Sequence, residues 1–219
     1  RKLCELLRAG LLKEVYHSNS ELYELRLLVS AYEDVVRSGI RVLNQKAALT
    51  LGHREKGKSA AFIGGILKEN IDLYRRSKEQ YEQRFNVVAR GNKLVRFQRE
   101  IDGIGTIGAV KILACVVDAR RFPYSGKYIG YCGLVKHEKL SGGRSYGWRK
   151  PRYSRVLKSV YKTAALAAIR GHNPIREYYD HLLDQGVAEH NARHAVARYI
   201  ARISYGMLKS GTRYDPDTV

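Results

Sequence analysis

Residues 21–43 read ELYELRLLVSAYEDVVRSGIRVL, and apolar or small side chains recur in them at Leu22, Leu25, Val29, Tyr32, Val36, Gly39 and Leu43. Steps that alternate between three and four keep one face of an α-helix apolar, the pattern of a coiled-coil seam. Just upstream, Ser18-Asn19-Ser20-Glu21 reads as a helix start, because Ser18 and Glu21 can satisfy the exposed amides of the first turn reciprocally. Lys56-Gly57-Lys58-Ser59 reads as a turn. A second seam follows at Leu67, Ile71, Tyr74, Tyr81, Phe85 and Val88, interrupted by Lys78. Two long helices joined by a turn predict an antiparallel helical hairpin, a coiled-coil arm over residues 1–91 that can also dimerise. An ordinary two-helix layer on a globular core gives the same stripes. Before the arm, Leu3, Leu6, Leu7, Leu11 and Leu12 form a short amphipathic pattern. The chain opens inside it, at Arg1 rather than Met, so further sequence is expected upstream.

At Gly91-Asn92 the pattern changes to shorter helices with Gly-rich joints, which predicts a domain boundary and a compact helical domain over 92–219. Helical patterns cover Thr106–Val117, Arg152–Arg170, Pro174–Gln185 and Asn191–Leu208. Pro174 suits the first turn of its helix, and Gly171 suits the end of the one before. No set of alternating strands stands out, so the expected class is all-α. Residues Val135–Lys150 read as the long irregular loop of this domain, the kind of segment that carries function on a rigid scaffold.

Charge narrows the partner. Forty Lys and Arg against twenty-one Asp and Glu leave a formal +19 over 219 residues, an imbalance that a polyanion such as DNA or RNA relieves. The hydrophobic share of 44% is enough for a core and argues against disorder. Cys4, Cys115 and Cys132 are odd in number and lack zinc-ligand spacing, so they read as incidental thiols of a reducing cytoplasm. No apolar run approaches a membrane span, and no signal peptide opens the chain. The expectation is a cytoplasmic, nucleoid-associated protein without a membrane partner.

Two segments can carry chemistry. Ile101-Asp102-Gly103-Ile104-Gly105-Thr106 sits between helical patterns, and its glycines can turn the backbone sharply and present bare amides at a helix start. A helix-hairpin-helix holds a nucleic-acid backbone in this way, with Gly103, Gly105 and Thr106 as its contacts; a tight helix-to-helix turn is the alternative. The second is the run from Lys136 to Lys150. Ser141 precedes Gly142 and Gly143, so a nucleophile there is unhindered. Lys136, Lys139, Arg144, Arg149, Lys150 and Arg152 supply cations for a phosphodiester under attack. Trp148, Tyr146 and Tyr153 offer flat surfaces for stacking. A flexible basic loop that merely binds nucleic acid, with Ser141 serving the turn, fits the same residues.

Other enzyme classes find little support. His137, His172, His181, His190 and His194 are scattered, without a metal-binding pattern. Asp102 and Asp118 lie at helix boundaries, where capping explains them. Gly57-Lys58-Ser59 lacks the upstream glycine of a phosphate loop. Lys111, the candidate nucleophile of a helix-hairpin-helix glycosylase, has no partner Asp in a recognisable motif. No metal or cofactor site is expected in this chain.

In order along the chain, Leu6-Leu7-Arg8-Ala9-Gly10-Leu11-Leu12 leading to Val15-Tyr16, Ile101-Asp102-Gly103-Ile104-Gly105, Arg121-Phe122 before Tyr131-Cys132-Gly133-Leu134, Ser141-Gly142-Gly143, Ala168-Ile169-Arg170, and Ala195-Val196-Ala197-Arg198 before Tyr205-Gly206-Met207-Leu208 form a set. Together they resemble the insertion-sequence transposases related to the pilin-gene DNA invertases, the bridge-RNA-guided serine recombinases. The resemblance implies a coiled-coil arm followed by a transposase domain. It also implies an N-terminal ribonuclease-H-like domain, with four acidic residues and Mg2+, that would precede Arg1. The family's serine falls on Ser141, whose implied role is attack on a DNA phosphodiester to leave a phosphoserine-linked strand. Arg144, Arg149 and Arg152 would clamp the phosphate. The implied partners are donor and target DNA, a guide RNA, and further copies of the chain, as a dimer or tetramer held through the arm. On its own the chain would be an incomplete catalyst. Pro151 departs from the family's glycine-containing basic turn, and Ser145 is the alternative nucleophile. A non-enzymatic helix-hairpin-helix binding module is the rival reading.

Overall fold

The computed structural model describes residues 2–11, 21–51, 57–149 and 152–213. The expected helix start at Ser18-Asn19-Ser20, the Val15-Tyr16 pair, Lys56, Lys150 and Pro151 lie outside the described residues. A short helix α1 (Lys2–Arg8) buries none of its side chains. The arm follows as α2 (Glu21–Leu51) and α3 (Lys58–Gly91). Tyr32 meets Glu82, Gly39 meets Tyr74 and Leu49 meets Gly64, so the two helices run antiparallel as their seams predict.

Near the base of the arm the seam is buried, at Leu25, Val29 and Tyr32 from α2 and at Phe85 and Ala89 from α3. The Tyr32 ring stands edge-on to Tyr81 and Phe85, and its hydroxyl donates to Glu82 Oε1 at 2.8 Å. Burial, and then that carboxylate, push the Tyr32 phenol well above its ordinary range. At Gly39 the absence of a side chain is required: a Cβ there would lie 2.3 Å from the Tyr74 ring. Toward the far end the apolar side chains are open, with Leu51 81% and Phe62 71% exposed.

Asn92 ends α3 and caps α4 (Lys93–Gln98), its Oδ1 accepting from the amides of Leu94 and Val95. The base of the arm packs on α5 (Thr106–Val116) and shares one hydrophobic core with the helices downstream. An ion pair of 2.6 Å between Lys111 of α5 and Glu33 of α2 ties the two together, and Lys111 also sits over the Tyr32 ring.

After a 3-10 turn at Ala119–Arg121 come α6 (Ser125–Tyr131), α7 (Arg155–Ala168), α8 (Pro174–Asp184) and α9 (Glu189–Ser210). Ser154 caps α7 and Asn173 caps α8, with Pro174 in the first turn as its missing amide allows. Helix α9 is the hub. Its buried stripe of Ala192, Val196, Ala197, Ile200 and Ala201 lets α7 approach closely. A polar thread crosses this core: Gln98 of α4, Ser204 of α9, Tyr161 of α7 and Tyr128 of α6 are joined hydroxyl to hydroxyl or amide, all buried. Each polar group has a partner, so the thread ties four helices without an unsatisfied donor. No helix among the described residues is long and apolar enough to cross a membrane.

One sequence expectation is corrected. Within the stretch expected as an irregular loop, residues 137–149 are ordered: β1 (His137–Ser141) and β2 (Arg144–Arg149) form an antiparallel hairpin, the sole sheet among the described residues of an otherwise helical fold. Gly142 and Gly143 have φ of 55° and 74°, the pair of positive values that a two-residue type I′ turn demands. The strands lacked the alternating signature because their described side chains are exposed on both faces, so no burial imposes a period of two.

Candidate nucleic-acid interface

The hairpin is anchored at both feet. Before it, the chain leaves α6 through Gly133, against which the Tyr153 ring packs; after it, the Ser154 amide donates to the Tyr131 carbonyl at 2.8 Å. Beyond those feet it projects into solvent.

Register decides what faces what. Ser141 pairs with Arg144, Leu140 with Ser145, Glu138 with Trp148 and His137 with Arg149. Side chains of paired residues share a face, and faces alternate along each strand. Ser141, Arg144, Lys139 and Tyr146 therefore occupy one face, and Leu140, Ser145, Glu138 and Trp148 the other. The pairing shifts between Glu138 and Leu140, where Tyr146 and Gly147 together oppose Lys139. This bulge turns Trp148 away from Tyr146. Ser141 is exposed, and its hydroxyl makes no hydrogen bond to another described residue. Ser145 is locally engaged, its Oγ accepting from the Gly147 amide at 3.4 Å.

On its Trp148 side the hairpin borders a groove of about 850 Å³ whose walls are the hairpin base, α7 and α9. Lys136, Lys158, Lys162, His194 and Arg198 line it with Trp148, and no carboxylate among the described residues does. The spacing explains the convergence, since Lys158 and Lys162 are one helical turn apart on α7, as are His190, His194 and Arg198 on α9. The His194 imidazole is held below its ordinary pKa by partial burial first, and then by the charges of Lys162, Arg198, Lys158 and His190. The sequence analysis missed this cluster, treating the histidines as scattered. The i, i+4 spacing of bases on two helices was the signal available.

The expected helix-hairpin-helix contacts lie elsewhere. Gly103, Gly105 and Thr106 border a separate cleft of about 480 Å³ at the start of α5, together with Lys111, Ser159 and Thr163. Gly103 has φ 86°, and a Cβ there would sit 2.1 Å from the carbonyl oxygen of Ala164. That contact with α7 alone requires glycine at this position. Gly105 is open and leaves the first amides of α5 accessible, but Glu82 stands on the same cleft.

The predicted residues therefore separate into three places. Ser141, Gly142, Gly143, Arg144 and Lys139 are at the hairpin tip, Lys136 and Trp148 in the groove, and Gly103, Gly105 and Thr106 at the α5 cleft. Arg152 is exposed just beyond β2; Arg149 belongs to β2, and Lys150 lies outside the described residues. Asp118 caps the 3-10 turn, as its position suggested. Cys132 is buried, Cys115 half-buried and Cys4 exposed, all free. Among the described residues no group of three or more His, Cys, Asp or Glu could hold a metal ion.

Residues 96–180 match the Transposase IS116/IS110/IS902 family. The matched stretch runs from within α4 to α8 and contains the α5 cleft, the hairpin and the α7 wall of the groove. A curated relative, the insertion element IS116 uncharacterized 44.8 kDa protein of Streptomyces clavuligerus, is 25% identical over 115 residues. That similarity covers 52% of this chain and 29% of the relative, so the chain corresponds to less than a third of that protein. Both similarities are to insertion elements: one is to a transposase family by its description, the other to a protein of insertion element IS116.

Proposed function

We propose that this chain is the arm and strand-exchange domain of a DNA transposase in which Ser141 is the nucleophile. The observation that carries the reading is the placement of Ser141 at the tip of a type I′ hairpin, on one face with Arg144 and Lys139, within the family-matched stretch. In the proposed step the Ser141 hydroxyl gives up its proton and its oxygen bonds to the phosphorus. The bond from phosphorus to one sugar oxygen breaks, and that oxygen takes a proton as the departing strand's hydroxyl. Attack by another strand's hydroxyl reverses the sequence and joins the new partner. Arg144, the cross-strand partner of Ser141, suits the added negative charge on the phosphate, as a cation held at a developing oxyanion does.

No described residue hydrogen-bonds the Ser141 hydroxyl, so a base for its proton is expected from outside the described hairpin. A Mg2+-bearing acidic domain is the source implied by the family resemblance. The described residues of this chain do not fit such an ion. A guide RNA and assembly of several copies through the arm, residues 1–91, belong to the same proposal. The open Leu51 and Phe62 at the far end of the arm support assembly.

The isolated state of the Ser141 hydroxyl also favours a second reading, a non-enzymatic module that only binds nucleic acid. Trapping separates the two. Full-length protein carrying this chain is incubated with end-labelled donor and target DNA, Mg2+ and guide RNA. The expected result is a protein-linked DNA band that persists in Ser145→Ala and disappears in Ser141→Ala, with DNA affinity unchanged in both. A band that survives Ser141→Ala moves the chemistry elsewhere, and binding without a band in any variant favours the module.

A further inference from the structure

We infer that the groove between the hairpin base, α7 and α9 binds a single-stranded nucleic-acid segment, its phosphates along Lys158, Lys162 and Arg198 and an unstacked base on Trp148. The inference rests on nucleic acid being the partner, as proposed above, and assigns where and in what form one segment is held. Three observations support it. First, the cations come from separate elements and converge on one cavity that, among the described residues, no carboxylate lines. Such a cluster repels itself, and a polyanion relieves it. Burial first, and then the charges of Lys162, Arg198 and Lys158, hold the His194 imidazole below its ordinary pKa at the same place.

Second, the walls are rigid. The faces of α7 and α9 opposite the groove are buried through Val160, Ala164, Val196 and Ile200, so the backbone positions that carry the positive groups are held. Third, Trp148 is 66% exposed at the edge of this cavity, turned there by the bulge in β2. An exposed indole beside a cationic track matches a single strand, whose bases offer bare faces; in a duplex those faces are covered by neighbouring bases. Lys136, at the foot of β1, extends the track toward the hairpin.

Trp148 is the single tryptophan of the chain, so its fluorescence reports on this site alone. The chain is titrated with oligothymidylate, with oligouridylate, and with a duplex of the same length, roughly ten nucleotides, within the range of single-strand site sizes. Anisotropy of labelled strands is followed in parallel. Single strands are expected to quench Trp148 saturably, while the duplex binds without comparable quenching. The stronger of the two single strands identifies DNA or RNA as the source of the segment. Trp148→Ala is expected to weaken single-strand binding about tenfold. Lys162→Glu and Arg198→Glu are expected to weaken it by about tenfold or more and to flatten its salt dependence. Lys162→Gln, at an exposed position, keeps the test open if Arg198→Glu disturbs α9. Single-strand binding with unchanged Trp148 fluorescence, or with wild-type affinity in folded Lys162 variants, overturns the inference while leaving the proposed function standing. No binding to any of the three overturns both.

Discussion

The hairpin that carries Ser141 takes its shape from a turn of two adjacent glycines and from strands exposed on both sides, whereas the groove beside it is assembled from α7, α9 and the foot of β1 over a packed core. The first is local and cheap to deform. The second cannot change shape without moving helices that are buried on their opposite faces. In this molecule, then, the proposed chemistry sits on the softer element and the proposed grip on the stiffer one. Separate kinds of substitution should affect stability, strand transfer and affinity one at a time.

The largest effect is expected where the core itself is overfilled. In Gly103→Ala the new methyl collides with the Ala164 carbonyl and the residue must hold φ 86°, so α5 and α7 are forced apart. A loss of about 1–3 kcal/mol follows from overpacking of this kind. Thermal unfolding should register it at roughly 2–4 °C per kcal/mol for a chain of this size. Gly105→Ala, with open space around it, serves as the control. Equal melting temperatures for the two variants would break the argument that Gly103 is set by its contact with α7.

A smaller and more local effect is expected at the hairpin tip. Gly143→Val places a β-branched residue at φ 74°, which costs about 1–2 kcal/mol in the turn. Because the tip is solvated, the melting temperature should stay near that of the native chain while covalent trapping falls about tenfold or more, as a misaligned nucleophile does. Single-strand affinity should not change. If affinity falls together with trapping, the tip and the groove are not separable.

The mildest effect concerns pH. The folded-state pKa of His194 is lowered, so as pH falls through about 6.5 the unfolded chain takes up this proton before the folded one does. His194 therefore leaves stability intact above that pH and subtracts from it as pH falls further. Bound phosphates would favour the protonated imidazole, so affinity for a single strand should rise over the same interval, by less than about tenfold per pH unit for one proton. Comparing the affinity of native protein and His194→Gln at pH 7.5 and 5.5 checks the sign. A native affinity that weakens on acidification would contradict it.

How much of this could be read in advance varied with how local the cause was. The arm seams and the helix start at Pro174 were legible because helical period and first-turn chemistry are written within a few residues. The hairpin was not, since a sheet solvated on both faces leaves no alternation. Its turn was nevertheless visible as Gly142-Gly143. Gly103 was assigned to phosphate contact from its position in the turn, while the contact that demands glycine there comes from Ala164, some sixty residues downstream. The groove needed three dimensions: Lys158, Lys162, His194 and Arg198 are each unremarkable until α7 and α9 are laid side by side.

Gly39 and Tyr74 carry a consequence for distance. With 31 residues in α2, the arm extends about 46 Å at 1.5 Å per residue. Its root is fastened to α5 through Lys111 and Glu33. A two-helix rod measures reliably only if its helices cannot slip past each other. The Tyr74 ring fits where Gly39 leaves room, and a slide of one turn would drive it against a side chain. That single notch fixes the length of the ruler, so whatever the far end grasps stands at a set spacing from Ser141 and the groove.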